Sequence, residues 1–373
     1  MDIRTKLALA LVSVSLLSMA LLGTFAYYTS ARLLQEISVR QLDALAESKK
    51  RDLEKVQEGW KDQLRLIRMR TDLRMDLSRI IHNEDEETRA AVRQVIEDAV
   101  TATDNLDRLT IYDLNQNEVV GFGRAVVPGK PVFPAQGPSV VYGGTYLTED
   151  GNLRVVFTST LELAGSVIGY AEGVFDATDL YTVTGNFTGL GETGEALVVM
   201  SEGEDQILVL NPVRHLMEDG LRRVRLEDAP EPMRQVLAGN EVVISDGVRD
   251  YRGERVLAAT RFVDGLSWGL IVKIDQAEEA GRALELRESM IDIGLALSAF
   301  AIIGGTLLGL YLARPIHQLA ELVRRIRHGE TALRADAEGD DEIAYLSESL
   351  NELLDHLDLE GRDNTQKNAH ENG

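Results

Sequence analysis

Between Asp292 and Arg314 the chain carries no charge at all, from Ile293 to Ala313. About 20 apolar residues rising ~1.5 Å each cross the ~30 Å hydrocarbon core of a bilayer. A membrane helix over residues 290–313 is therefore expected. Directly behind it, after Arg314-Pro315, apolar residues fall at Ile316, Leu319, Val323 and Ile326, spaced three, four and three. A second stripe follows at Ile343, Leu346, Leu350, Leu353 and Leu357, with a polar connector from Gly329 to Asp340 between them. Both stripes have the spacing of a coiled-coil seam. Short helices with one narrow apolar stripe are not stable alone, so they must bundle, most simply with the same pair from a second chain.

The stretch resembles a HAMP module, the coupling domain of bacterial transmembrane receptors. Pro315 with an aliphatic neighbour follows the span, Gly329 closes the first helix, and Asp341-Glu342-Ile343 opens the second ahead of Leu346 and Leu350-Asn351. The resemblance covers residues 314–358 and implies a signal-relay role for Pro315, Gly329, Asp341 and Glu342. It departs from the family at Thr331, where a bulky aliphatic residue is usual; Leu333 is the substitute.

At the other end Arg4 and Lys6 lie in a short segment, residues 1–6, ahead of an uncharged run from Leu7 to Tyr28. Ser18-Met19-Ala20 has the small-x-small form of a signal-peptide cleavage site, but eight more uncharged residues follow it. That is too long for an ordinary signal sequence, so residues 7–28 are expected to be an uncleaved span. Tyr27 and Tyr28 stand where an interfacial aromatic belt would be. Arg4 and Lys6 precede the first span and Arg314, Arg324, Arg325 and Arg327 follow the second. The positive-inside rule then places both termini in the cytoplasm of a bacterium and residues 29–289 outside the cytoplasmic membrane. The net charge of −22 argues against a nucleic-acid partner. With no cysteine, disulfides and thiolate chemistry are excluded.

Residues 29–81 keep a helical period, with Leu53, Val56, Trp60, Leu64 and Ile67 on one face, and a second helix is expected from Glu86 to Asn105. Then the period changes. Strands are expected at 109–113, 118–122, 140–147, 153–160 and 167–175, interrupted by a loop carrying Pro128, Pro131, Pro134 and Pro138. The order recurs at 195–200, 207–210, 241–245, 255–263 and 268–274, with a helical stretch at 212–238. An internal structural repeat of two tandem sheets is the reading.

Two such sheets behind one long helix, between two spans and ahead of HAMP, resemble a double Cache sensor, the PAS-like extracytoplasmic ligand module. The resemblance rests on Gly189-Leu190-Gly191-Glu192-Thr193-Gly194-Glu195, Asp250-Tyr251-Arg252-Gly253 and Trp268 to Asp275. The fold class expected is α+β: two tandem PAS-like antiparallel sheets behind a long helix, two transmembrane helices and a helical HAMP module. Residues 29–184 form the membrane-distal unit, 185–280 the membrane-proximal unit, and 359–373 a disordered tail. The resemblance implies a pocket on one face of the distal sheet, lined by aromatic and polar side chains. Candidates by position are Tyr112, Arg124, Tyr142, Tyr146, Tyr170 and Asp176. The arginine and Trp-Tyr helix motif of amino-acid-binding members is missing around Trp60 to Arg70, so ligand identity does not follow.

Catalysis has little footing. The six histidines are scattered, and no GxxxxGK[ST], GxSxG or HExxH motif occurs. His356 lies on a helix, but its neighbours do not resemble a phosphoacceptor box. No cofactor or metal is expected. The expected protein is a homodimeric membrane receptor that binds a small solute outside and relays it through HAMP to a separate cytoplasmic output protein. The alternative is a truncated or split sensor histidine kinase or diguanylate cyclase, because only a polar segment follows Leu357. A third reading is a membrane-anchored solute-binding protein that does not signal.

Overall fold

The computed structural model describes residues 3–83, 86–124, 127–135, 139–215, 223–330, 332–339 and 342–371. It divides into two units, residues 33–282 and residues 1–32 together with 283–373.

In the first unit the long helix comes first because no proline and few glycines interrupt residues 3–68. α1 (Ile3–Arg68) breaks at Met69-Arg70, and α2 (Thr71–Asn83) and α3 (Glu86–Thr101) follow. The helical stretch expected to run to residue 81 is thus two helices. The Arg70 N–H turns back to the Ile67 carbonyl at 3.2 Å, tightening the last turn. The chain then forms β1 (Leu106–Tyr112), β2 (Glu118–Gly123), β3 (Val140–Leu147), β4 (Leu153–Leu163) and β5 (Ser166–Asp176), all antiparallel in the order β2-β1-β5-β4-β3. After a short helix, α4 (Thr178–Thr184), come β6 (Glu195–Glu202), β7 (Gln206–Val209), β8 (Arg223–Arg225), α5 (Glu231–Leu237), β9 (Val243–Arg249), β10 (Arg255–Val263) and β11 (Trp268–Asp275). Their order is β8-β7-β6-β11-β10-β9. Removing β8 leaves the distal order repeated strand for strand. β8 is the extra edge strand in a stretch expected to be helical. Its polar Arg-Val-Arg sequence suits an edge, where one side of the ladder faces water.

One apolar core joins both sheets to α1. Leu53, Trp60 and Leu64 from the helix, Val155, Phe157 and Phe175 from the distal sheet, and Trp268, Leu270 and Val272 from the proximal sheet are all buried in it. Trp60 is the meeting point: its ring lies 6.4 Å from Phe157, 6.4 Å from Phe175 and 6.5 Å from Trp268, centroid to centroid. Ionic contacts hold α1 to the proximal sheet and to the segment between the sheets. Arg261 pairs with Asp43 and with Glu47 at 3.0 Å, Lys50 reaches Glu241 at 2.7 Å, and the buried Lys49 ammonium donates to the Val183 and Asn186 carbonyls at 2.8 Å.

The second unit holds both expected spans. α1 and α6 (Gln276–Arg327) each contain a stretch long and apolar enough to cross a membrane, with mean hydropathies of 2.2 and 2.1. Gly305, Gly309 and Ala313 recur every four residues on α6. A Cβ at Gly309 would sit 2.7 Å from the Ala8 Cα, and one at Gly305 2.9 Å from Val12. Small residues here let the two helices touch backbone to backbone, the packing that membranes favour. α6 passes through Pro315 and ends in a Schellman turn, in which the Glu330 N–H donates to the Arg325 carbonyl at 3.2 Å and Gly329 takes φ 103°.

α7 (Glu342–Glu371) carries the second apolar stripe read from the sequence. It continues through residues 359–371, which the sequence assigned to a disordered tail. That segment has no proline, and polarity does not stop a ladder already nucleated by the preceding turns. Asp341 and Thr331 lie outside the described residues, as does the side chain of Leu357. Replacing Trp60 with alanine removes the shared ring. It is expected to lower the unfolding free energy of the two-sheet unit by about 3–5 kcal/mol, read from chemical denaturation followed by circular dichroism.

Candidate functional site

Each sheet has an inner face on the shared core and an outer face turned away from it, and the two outer faces are built differently. On the proximal sheet the outer face is closed. Met233 and Val236 of α5 pack against Leu197, Val199, Ala258 and Ile271. Gly269 allows α5 this close, since a Cβ there would lie 2.4 Å from Val236. Beyond the apolar patch sits Lys273, which is buried; its Nζ donates to Glu195 at 2.6 Å and to Asp250 at 2.5 Å. The Tyr251 hydroxyl donates to Glu195 at 2.6 Å, and Arg252 bonds Asp250 at 2.8 Å and Asp275. Burial alone would raise the Asp250 pKa, but the hydrogen bonds and charges of Lys273 and Arg252 hold it below the usual carboxylate range. The groups around Lys273 bond one another, which is what a low-dielectric charge cluster needs in order to be stable.

The distal outer face is unfinished by comparison. Pairing puts Arg108, Thr110 and Tyr112 of β1, Tyr170, Glu172 and Val174 of β5, and Val156 and Thr158 of β4 on one side. The proline-rich loop lies over them. Phe133 stacks on Tyr170 at 4.5 Å and meets Tyr112 edge-on at 5.1 Å, while the Thr158 hydroxyl donates to the Val132 carbonyl at 2.5 Å. Glu172 is only 1% exposed. Its Oε1 accepts from the Tyr112 hydroxyl at 3.1 Å, but Oε2 has no hydrogen-bond partner among the described residues. Burial pushes its pKa up, against the lowering effect of Tyr112 and Arg108. Tyr146 likewise has a buried hydroxyl without a partner, and burial pushes its pKa up to about 12. Beside Tyr146 opens a cleft of about 1260 Å³, lined among others by Gly121, Gly123, Arg124, Pro128 and Arg154.

The sequence-derived candidates separate on this geometry. Tyr112, Tyr146 and Tyr170 share the outer face, and Arg124 lies at the cleft. Asp176 is engaged twice, by Arg154 at 3.1 Å and by the Thr178 N–H at 2.8 Å, where it precedes α4. Tyr142 belongs to the inner face. Its ring is 6.0 Å from Phe157 and its hydroxyl 2.6 Å from Thr145. A bulge between Tyr142 and Gly144 is the cause, because one extra residue reverses the side of every later side chain. Glu172 and Phe133 were missed. Glu172 did leave a signal, as an acidic residue two positions from Tyr170 in the middle of an otherwise apolar strand that ends at Asp176. Phe133 left none, since no period applies in a loop. Among the described residues no group of three or more His, Asp or Glu is placed to hold a metal ion.

In the HAMP region, Asn351 of α7 holds the connector by a pair of bonds to Ala335, accepting from its N–H at 2.7 Å and donating to its carbonyl at 2.8 Å. Among the described side chains of α7, Ala344, Ser347 and Leu354 are buried within one chain. The seam residues Ile316, Val323, Leu346 and Leu353 are exposed, while Leu319, Ile326, Ile343 and Leu350 are half-buried.

Comparison with known proteins supports the HAMP part of this organisation. Residues 307–358 match the family model described as the HAMP domain. The signal transduction histidine-protein kinase AfsQ2 of Streptomyces coelicolor is 28% identical over 167 residues, 40% of this chain and 30% of the kinase. The match thus spans less than a third of that relative. Among solved structures, the ligand-binding domain of the Campylobacter jejuni chemoreceptor Tlp3, in complex with 4-methylisoleucine, has a TM-score of 0.44 at 10% identity, covering 66% of this chain and 94% of that one. The ligand-binding domain of the Pseudomonas fluorescens chemoreceptor CtaA, in complex with L-leucine, has a TM-score of 0.40 at 14% identity, covering 66% of this chain and 99% of that one. Two span-length helices, a two-sheet unit and a HAMP domain are thus combined in one chain.

Because the Glu172 pKa is raised in the fold, the unfolded chain gives up its proton first as pH climbs. Stability contributed by the protonated form is complete in acid and is lost as pH rises from the ordinary carboxylate range toward the raised value. Glu172→Gln is therefore expected to flatten that part of the stability profile and to raise the unfolding temperature at pH 7, measured by thermal denaturation across pH.

Proposed function

We propose that this receptor sits in a bacterial cytoplasmic membrane with both termini inside and the two-sheet unit outside, as a homodimer, and that a small solute binds the distal outer face. The observation that carries the reading is the contrast between the faces: the proximal one is closed by α5 and the Lys273 cluster, the distal one keeps buried polar atoms unanswered beside an open cleft.

Binding is relayed along the chain. β11 ends at Asp275 and α6 begins at Gln276, and the first turn of α6 is tied to the loop before β6. There the Glu278 carboxylate accepts from the Thr193 hydroxyl at 2.6 Å and from the Thr193 N–H at 2.9 Å. A shift of β11 is thereby felt by the helix that becomes the second span. A ligand moves such an equilibrium only by its differential affinity for two states, about 1–3 kcal/mol in typical coupling. Pro315 removes one rung of the α6 ladder where span meets bundle, so motion there is converted. Gly329 shapes the turn and Glu342 the helix start that receive it, and Asp341 is proposed to serve the same relay. The exposed seam residues Ile316, Val323, Leu346 and Leu353 support a second chain as the cover. A second reading, in which the HAMP module serves a histidine kinase on the same or another polypeptide, is favoured by the match to AfsQ2.

The natural absence of cysteine makes the test direct. Glu204→Cys should react with a membrane-impermeant maleimide on intact cells, and His356→Cys only after permeabilisation; the reverse pattern would invert the topology. Leu346→Cys should form a disulfide-linked dimer in membranes, whereas Glu348→Cys, on another side of the helix, should cross-link far more slowly. Equal rates would exclude the seam.

A further inference from the structure

The corner where β11 turns into α6 is held by a residue of neither element. Asp275 is the last residue of β11, and its carboxylate accepts from the Arg252 guanidinium. Arg252 lies in the turn 250–254, between β9 and β10. That turn is fixed at its base: Asp250 accepts from the Arg252 N–H at 2.8 Å, the Glu254 N–H at 3.1 Å and the Arg252 Nε at 2.8 Å. Lys273 then ties Asp250 to β11 itself, at 2.5 Å. From the other side, the Asp275 N–H donates to the Thr193 hydroxyl at 3.1 Å, and that hydroxyl donates to Glu278 in the first turn of α6. Two glycines with positive φ let the helix start come this close. A Cβ at Gly247 would lie 2.5 Å from the Gln276 Oε1, and one at Gly191 2.1 Å from the Glu278 Oε1.

The distal repeat builds the same corner. Its β5 also ends in an aspartate, Asp176, and also leads into a helix, α4. Arg154, near the start of the neighbouring β4, holds Asp176 at 3.1 Å and pairs with Asp107 as well. In each half, then, an arginine beside the last strand bonds two carboxylates, one of them the residue where the strand gives way to a helix.

We propose that the turn 250–254 is a latch on the β11–α6 corner, with Arg252 as the positioning residue that fixes where α6 begins. A guanidinium bonding two carboxylates sets their relative position through its planar fork, which a point charge does not do. Asp250 is the fixed end, being tied to Lys273 and to the turn's own N–H groups, and Asp275 is the held end. Their pairing is largely out of water, with the Arg252 and Asp275 side chains 16% and 14% exposed. Losing one partner therefore leaves an uncompensated charge at the corner. That the latch governs signalling rests on the reading of α6 as the relay helix: a displaced turn moves Asp275, and α6 follows.

Hydrogen exchange on the full-length receptor in lipid nanodiscs tests this, with residues 275–282 as the readout and β6 (195–202) and β10 (255–263) as references. Arg252→Ala and Asp275→Asn are expected to speed exchange at 275–282 by about tenfold while the references change less than about twofold. Arg252→Lys, whose ammonium satisfies one carboxylate better than two, should recover part of the protection. Arg261→Ala removes another arginine shared by two carboxylates, Asp43 and Glu47, and should leave 275–282 protected. Unchanged exchange at 275–282 in Arg252→Ala overturns the latch. So does equal acceleration in the reference strands, or the same effect from Arg261→Ala, because Arg252 would then add only general stability. The relay reading has its own arm, the disulfide rate of Leu346→Cys in the Arg252→Ala background. A changed rate supports both; a loosened corner with the parent's rate keeps Arg252 as the positioning residue and overturns the relay.

Discussion

The contact on which the rest of this receptor depends is the one between Trp60 and the two sheets. A five- or six-stranded sheet with one apolar face must cover that face, and both sheets here use the same cover, residues 42–67 of α1. The indole of Trp60 touches Phe157 and Phe175 on one side and Trp268 on the other. Neither sheet can shift on the helix without disturbing the packing of its neighbour, because interiors are packed near crystal density and respond to small displacements as a whole. The ionic contacts of Asp43, Glu47, Lys49 and Lys50 add direction to that packing by fixing the helix against the proximal sheet and the segment leading into it.

A shared core on the inner faces leaves the outer faces to diverge. The proximal repeat covers its outer face with α5 and a charge cluster, and its β11 leads into α6. The distal repeat placed a proline-rich loop over its outer face instead. Its prolines do not suit a central strand, and the Thr158 hydroxyl beneath it bonds the Val132 carbonyl.

Most of the architecture was legible in the residues. The uncharged runs fixed the spans, the three-four spacing fixed the HAMP helices, and the repeated strand order came from alternation and turn residues alone. What escaped had physical reasons. β8 is a three-residue edge strand, too short to show a period, and the helix after Leu357 extends a ladder begun by earlier turns without an apolar stripe. The break at Met69-Arg70 has no proline or glycine to mark it. The Gly305, Gly309 and Ala313 spacing was visible, but inside a uniformly apolar run it carries no amphipathic signal. For the site, alternation placed Tyr112 and Tyr170 correctly relative to each other, while the bulge after Tyr142 put Tyr142 and Tyr146 on opposite faces despite their spacing of four. Glu172 lay in plain view in β5, and only its burial gave it meaning.

The account stands or falls on whether the two sheets behave as one body built on α1. Native-state hydrogen exchange on the full-length receptor measures this directly, through the opening free energies of the β5 segment 166–176 and the β11 segment 268–275. A common opening free energy for both, lowered together in Trp60→Ala, is the expected result. Exchange of β5 through an opening of its own, with β11 protected throughout and indifferent to Trp60, would contradict it, because a distal event could then not reach α6 through the core.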